Sequence, residues 1–138
     1  MYKSLEILSS VQNFAAKVIL RKSMYDHVTP CLIELHWLPI NFRVDYKIAL
    51  LAFKCLNGLA PKYLSDLIEV YVPPRALRSS SSIFLKPKVT KFKTLGDKSF
   101  SSSAPAVWNT LPVSLRSETT IDIFKKNSKT YFFRKAFA

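Results

Sequence analysis

The stretch that decides the fold reads NFRVDYKIALLAFKCLNG and occupies residues 41–58. Residues 48–53 are apolar on nearly every side of a helix, which is typical of a buried helix. Asn41 suits the start, because its side-chain oxygen can accept hydrogen bonds from free backbone N–H groups, and Gly58 suits a left-handed end. We therefore predict a helix over 41–57 at the centre of the fold. Its solvent-facing stripe is formed by Arg43, Lys47 and Lys54.

Further helices are predicted on either side of it. At about 100° per residue, residues 5–21 put one set of apolar side chains on a single arc: Leu5, Leu8, Val11, Ala15, Val18 and Ile19. This pattern predicts an amphipathic helix with an apolar face to bury. Thr29 followed by Pro30 predicts the capped start of a short helix through Leu35, and Pro61 predicts another one toward Ile68.

The composition changes at Tyr71. Neighbouring prolines at 73–74 and consecutive serines at 79–82 predict a linker over 71–82, since they suit neither a helix interior nor a central strand. Beyond the linker, residues 83–85 and 89–95 are interpreted as two short strands of a hairpin, broken at Pro87.

The last third of the chain is predicted to be helical again. Gly96 and Asp97 predict a turn and a helix cap, followed by one or two short helices through Leu111. Pro105 is expected in a first turn, and Trp108 is the expected aromatic anchor. A final amphipathic helix is predicted to begin at Thr119 or Thr120, with an apolar side formed by Ile121, Phe124, Tyr131 and Phe132.

Together these elements predict a mainly α fold, a small helical domain whose basic C-terminal half contains a short β-hairpin. The predicted organisation is a helical hydrophobic module at 1–70, a Pro/Ser-rich linker at 71–82, and a basic module at 83–138 that ends in the amphipathic helix. We expect the two modules to dock through Trp108 and that last helix.

Positive charge is concentrated in the second half of the chain. Residues 1–70 hold eight Lys/Arg and six Asp/Glu, whereas residues 71–138 hold thirteen and three, and the whole chain carries a net charge of +12. A nucleic-acid backbone rewards distributed Lys and Arg through phosphate contact and counterion release. A face kept basic for solubility, or an anionic membrane surface, would give similar counts.

The sequence offers no site for catalysis. Two-metal phosphate chemistry needs clustered carboxylates, and the aspartates here are scattered, with no adjacent pair. Two glycines are too few for a Gly-rich phosphate loop, and neither serine run lies in a nucleophile elbow. We therefore predict a chain that is not an enzyme on its own and that needs no cofactor.

Four residues are of types that can bind zinc: His27, Cys31, His36 and Cys55. Structural zinc sites favour ligand pairs two to four residues apart that close a set of four, and these spacings do not form one. We predict no metal, with Cys31 and Cys55 packed as reduced thiols and His36 hydrogen-bonded beside Trp37. Without a secretory signal or a spanning segment, the expected location is intracellular, nuclear or cytoplasmic, with no membrane partner.

The remaining candidate site is a basic, aromatic stretch in the second half. Cations that can meet phosphates, beside rings that can stack on bases, are typical of a surface for single-stranded nucleic acid. The alternative is that the phenylalanines are core and the lysines are solvated. The rings are Phe84, Phe92 and Phe100, and the cations are Arg75, Arg78, Lys86, Lys88, Lys91, Lys93 and Lys98, against the single acid Asp97.

Several short motifs, in one order, resemble a known family. They are SVQN at 10–13, YDHVTP at 25–30, ELHWLPI at 34–40, NGLAPKYL at 57–64, LRSS at 77–80, GDKSFS at 96–101, APAVWN at 104–109, LP at 111–112 and FK at 124–125. In this order they resemble the region downstream of the polymerase domain in non-LTR (LINE-type, jockey-like) retrotransposon reverse transcriptases. The resemblance covers roughly residues 5–133.

The resemblance implies a parent protein with an endonuclease and a reverse transcriptase, which copies element RNA at nicked chromosomal DNA. No residue here matches the paired aspartates of the polymerase or the acids of the nuclease, so no catalytic role is carried over. The implied role is a non-catalytic C-terminal region that helps to bind RNA or single-stranded DNA. The alternatives are a structural module that packs on the upstream polymerase domain, or a truncated relic without an independent function.

Overall fold

A computed structural model describes residues 2–73, 83–88, 96 and 99–138. The prediction of a mainly α fold is confirmed, because these residues form seven helices and, within the described ranges, no strand. The helices are α1 (Tyr2–Ile19), α2 (Val28–Glu34), α3 (Ile40–Leu56), α4 (Lys62–Ser65), α5 (Phe100–Thr110), α6 (Val113–Arg116) and α7 (Ile121–Phe137).

The predicted β-hairpin is not supported. Leu85 forms an isolated antiparallel bridge with Val70, flanked by hydrogen bonds from Tyr71 N to Phe84 O (2.8 Å) and from Lys86 N to Glu69 O (2.8 Å). The other proposed strand, 89–95, lies outside the described residues. A run of three apolar residues favours a short extended segment, but it cannot show which distant backbone will pair with that segment.

Three predicted helix starts need correction. Asn41 lies inside α3, where Pro39 O accepts the hydrogen bond from Arg43 N (2.9 Å). Thr29 lies inside α2, whose cap position is taken by His27 without a side-chain hydrogen bond. Pro105 lies in the middle of α5 and not in its first turn. In each case the proposed residue was suitable by type, but the chain entered the helix earlier.

The predicted end of α3 is confirmed. Gly58 adopts a left-handed conformation with φ +68°. Gly58 N donates to Cys55 O (3.4 Å), and Leu59 N donates to Lys54 O (2.8 Å). This is the Schellman arrangement, which satisfies the last helical carbonyls and favours glycine because a Cβ atom is strained at that φ.

The described chain divides into two compact units, 1–46 with 129–138 and 47–128. Each unit contains residues of both predicted modules, so the boundaries of those modules as folding units stay a prediction. Residues 74–82 of the predicted linker lie outside the described residues.

In the first unit, Ala16 of α1 packs with Cys31 and Leu32 of α2. Gln12 is also buried, and its Nε2 donates a 2.8 Å hydrogen bond to Leu38 O. The inward face of α1 is therefore formed by small and polar residues. The apolar arc that the sequence predicted to be buried is largely exposed, and its members Leu8, Val11, Val18 and Ile19 are each more than half exposed.

In the second unit, three aromatic rings form the centre of the core. Phe124 of α7 stacks on Phe53 of α3 with 4.3 Å between ring centroids and on Trp108 of α5 with 5.9 Å. All three side chains are essentially inaccessible to solvent. This confirms that Trp108 is an aromatic anchor and that the middle of α3 is buried.

Candidate nucleic-acid interface

Two of the seven candidate cations, Lys86 and Lys88, belong to the described residues. They follow the extended tripeptide Ile83–Leu85, which is held at several points within the second unit. The other candidates, Arg75, Arg78, Lys91, Lys93 and Lys98, lie outside the described residues, as does Phe92. The contacts that hold the tripeptide therefore determine where Lys86 and Lys88 lie.

Trp108 and Asn109, at the end of α5, bind the backbone of this tripeptide. Trp108 Nε1 donates to Ile83 O (3.0 Å). The Asn109 amide accepts from Leu85 N (2.9 Å) through Oδ1 and donates to Leu85 O (2.8 Å) through Nδ2. An amide that satisfies both backbone groups of one residue fixes the register of the segment, because a shift by one residue would break both bonds.

Arg116 of α6 completes this backbone clamp, which we define as Trp108, Asn109 and Arg116. Its Nε donates to Leu111 O (3.0 Å), its Nη1 lies 3.4 Å from Ile83 O, and its guanidinium lies 4.0 Å from the centroid of the Phe84 ring. Burial lowers the pKa of the Arg116 guanidinium, although arginine stays charged in proteins. Among the described residues the partners of this cation are carbonyls and a ring and no carboxylate.

The clamp leaves Lys86 and Lys88 at the surface, on either side of Pro87. Both lysines are exposed and line a shallow pocket with Asp66, Leu67, Glu69 and Ser101. Lys86 Nζ lies 3.2 Å from Glu69 Oε2, in an ion pair whose two side chains are both largely exposed. Such pairs contribute about 1 kcal/mol or less, so a phosphate group can compete with Glu69 for this lysine.

The fold changes two assumptions about the predicted surface. The sequence count set seven cations against Asp97 alone, but Asp66 and Glu69 also line the pocket at Lys86 and Lys88. Phe84, proposed for base stacking, has one face of its ring covered by the Arg116 guanidinium. The described part of this surface therefore resembles a phosphate-binding strip more than a stacking platform.

Sequence reasoning missed the roles of Asn109 and Arg116. Asn109 stands in the APAVWN motif, but a motif does not show which distant backbone its amide will bind. In the sequence Arg116 is one more basic residue of the second half, yet it is only 6% exposed. Both side chains bind backbone groups that are more than 20 positions away in the sequence. A local sequence pattern contains no information about contacts at that separation.

The four residues whose types can bind zinc have other contacts. Cys31 and Cys55 are buried free thiols, as predicted. The Cys31 thiol points at His27 O (3.8 Å), and burial raises the pKa of the Cys55 thiol. Over the described ranges, no group of three or more His, Cys, Asp or Glu side chains is placed to hold a metal ion. His36 makes a T-shaped contact with Phe133, with 5.7 Å between ring centroids.

Comparison of the chain with protein-family models, with curated proteins and with solved structures finds no match. In the part of the chain that the structure describes, no helix has the length and apolar character needed to cross a membrane.

Proposed function

We propose that this chain is a non-catalytic C-terminal region of a LINE-type RNA-directed DNA polymerase that helps to bind RNA or single-stranded DNA. The observation that carries the proposal is the backbone clamp. It fixes an extended segment whose next residues, Lys86 and Lys88, are exposed cations. The motif order given above supports the family, and the net charge of +12 supports a polyanionic partner.

An extended basic segment suits a nucleic-acid backbone for a physical reason. Lys86 and Lys88 are two residues apart in an extended chain, so they lie about 6–7 Å from each other along it. This distance is comparable to the spacing of phosphates along a single strand. A fixed segment also loses less conformational entropy on binding than a free tail does, because its backbone is already ordered.

The test is fluorescence-anisotropy binding of the chain to labelled single-stranded RNA, single-stranded DNA and duplex DNA over a range of salt concentrations. Each phosphate contact with a single strand contributes about 0.7 to the slope of log K against log salt. We expect the variant K86Q/K88Q to bind more weakly and to reduce that slope by about 1.4.

The matched control is K47Q/K62Q, which removes the same charge from two other exposed lysines of the second unit. It should retain the slope of the unchanged chain. Equal losses in both variants would show that net charge alone attracts the nucleic acid, and the absence of binding at low salt would reject the proposal.

The exposed face of α1 favours a second candidate function, a structural module that packs on the upstream polymerase domain. Ile7, Val11, Phe14 and Val18 are spaced at four, three and four residues, and each is 53–62% exposed. Apolar residues at this spacing form one continuous stripe on a helix. An exposed apolar stripe of this length is typical of an interface.

This candidate is tested by mixing the chain with a reverse-transcriptase domain from a LINE-type element and measuring association by analytical ultracentrifugation. Val11→Asp should abolish association, because it places a charge in the middle of the stripe. Ser10→Asp adds the same charge at the neighbouring exposed position and should have little effect. If the unchanged chain does not associate, or if both variants associate equally well, this candidate is wrong.

A further inference from the structure

A second surface, in the first unit, combines cations with aromatic rings. It is a pocket lined by His36, which follows α2, and by Lys129, Thr130, Phe133 and Arg134 of α7. We propose that this α7 pocket, as we call it, binds a nucleotide of single-stranded nucleic acid, with Lys129 and Arg134 on phosphate and the His36 ring stacked on a base. The inference rests on the proposed function for its ligand class, but it uses different residues.

His36 has a backbone conformation that usually favours glycine. α2 ends in the same Schellman arrangement as α3, with His36 N bonded to Ile33 O (3.0 Å) and Trp37 N bonded to Leu32 O (2.9 Å). His36 has φ +51°, and it occupies the position that Gly58 occupies after α3 and that Arg21, with φ +52°, occupies after α1. A non-glycine residue there costs about 1 kcal/mol, so the end of the helix alone would favour glycine.

The ring of His36 is exposed at the pocket and is held in place from one side. It makes a T-shaped contact with Phe133, with 5.7 Å between ring centroids, and Phe133 makes a T-shaped contact with Phe137 at 4.8 Å. A T-shaped neighbour orients a ring and covers at most one of its two faces. The His36 ring is therefore oriented and keeps at least one face that Phe133 does not cover, and a stacking platform needs both properties.

The charges around the pocket favour an anion. Lys129 and Arg134 are exposed, and no ion pair among the described residues involves either of them. Their neighbour Lys135, by contrast, has an acidic partner, because it interacts electrostatically with Asp45. The pocket at Lys86 and Lys88 differs too, because it contains two carboxylates. An uncompensated Lys–Arg pair beside rings matches a phosphate joined to a base.

The first variants to test are K129Q/R134Q and a matched control, K22Q/R43Q, in the same anisotropy assay on the full chain. The control removes one lysine and one arginine that are exposed in the same unit. We expect K129Q/R134Q to reduce the salt slope for single-stranded oligonucleotides by about 1.4, and the control to leave it unchanged. An unchanged slope in K129Q/R134Q, or equal reductions in both variants, would overturn the inference.

The second test isolates base stacking. Asn tolerates the left-handed conformation, so His36→Asn removes the ring without straining the backbone. We expect it to weaken binding to a base-bearing oligonucleotide about fivefold or more, since one stacked base contributes about 1–3 kcal/mol. Binding to an abasic oligomer of the same length should not change. Equal effects on both oligomers, or none on either, would overturn the stacking role.

These outcomes separate the inference from the proposed function. Binding that depends on Lys86 and Lys88 but not on Lys129, Arg134 or His36 would overturn the α7 pocket and leave the proposed function intact. Binding that depends on the α7 pocket alone would overturn the roles of Lys86 and Lys88 and leave the α7 pocket intact. A chain that binds no single-stranded oligonucleotide would overturn both.

Discussion

Leu85 and Val11 are both apolar, the first in a predicted strand and the second on the apolar face of a predicted helix, yet their environments are opposite. Leu85 is 1% exposed, whereas Val11 is 61% exposed. The segment of Leu85 is held by polar groups of the same chain, Trp108 and Asn109. Within the described residues, the outer face of α1 has no comparable partner. An apolar pattern thus indicates that a surface favours burial. Residues elsewhere in the chain decide whether that surface has a partner to bury it.

The largest effect that can test this comparison is expected from Trp108→Ala. This substitution deletes a buried ring that stacks on Phe124 and donates to Ile83 O. Removing a fully buried aromatic side chain costs about 3–5 kcal/mol. The free energy of unfolding, measured by urea denaturation, should fall by that amount, and the chain should unfold at or near room temperature if it is marginally stable.

The matching substitution on α1 is Phe14→Ala, because Phe14 is 53% exposed. It should change the free energy of unfolding by no more than about 0.5 kcal/mol. A large loss from Phe14→Ala would mean that α1 is covered in solution, for example by a second copy of the chain. That result would remove the contrast between the segments of Leu85 and Val11. A midpoint of urea unfolding that depends on protein concentration would confirm that a second copy covers α1.

A smaller effect is expected from Asn109→Asp, which keeps the size of the side chain but replaces its donor by an oxygen. Leu85 O would then lose its hydrogen-bond donor and face a carboxylate, at a cost of about 1–3 kcal/mol. Urea denaturation measures this cost, with Asn41→Asp as the control. Asn41 is exposed in the first turn of α3, where an acid is neutral or favourable.

Much of the fold could be predicted because its signals are local. The apolar middle of α3 and the φ of Gly58 depend on residues within one or two turns, and both predictions are confirmed. Trp108 could be recognised as an anchor because large aromatic residues are usually buried.

The remainder of the fold depends on contacts that no local pattern contains. The side of α1 that packs inward holds Gln12 and Ala16, because Leu38 O offers a hydrogen bond to Gln12 and because a small residue allows close approach. No periodicity of apolar residues could select that side. For the candidate site, the sequence identified Lys86 and Lys88 but not the clamp that fixes them, nor Glu69 beside Lys86.

The smallest effect is expected from a partly buried charge, and the two units differ in how such a charge is satisfied. In the second unit the buried Arg116 is satisfied by carbonyls and by the Phe84 ring. In the first unit, burial raises the pKa of the Asp45 carboxyl above its ordinary value near 3.8, and the nearby Lys135 offsets this in part. In the pH window between the two values the folded chain binds more protons than the unfolded chain, so the free energy of unfolding falls as pH rises through it.

Asp45→Asn removes this cost. The variant should be more stable than the unchanged chain at pH 7, and the difference should vanish below the ordinary pKa, where the carboxyl is neutral in both states. Because Asp45 is only half-buried, solvent screens much of the effect, and we expect about 0.5 kcal/mol or less. Urea midpoints between pH 3 and 7 measure it. A variant that is less stable at pH 7 would instead mean that the attraction between Lys135 and the Asp45 carboxylate outweighs the cost of burying that carboxylate. The buried charges of both units would then be satisfied.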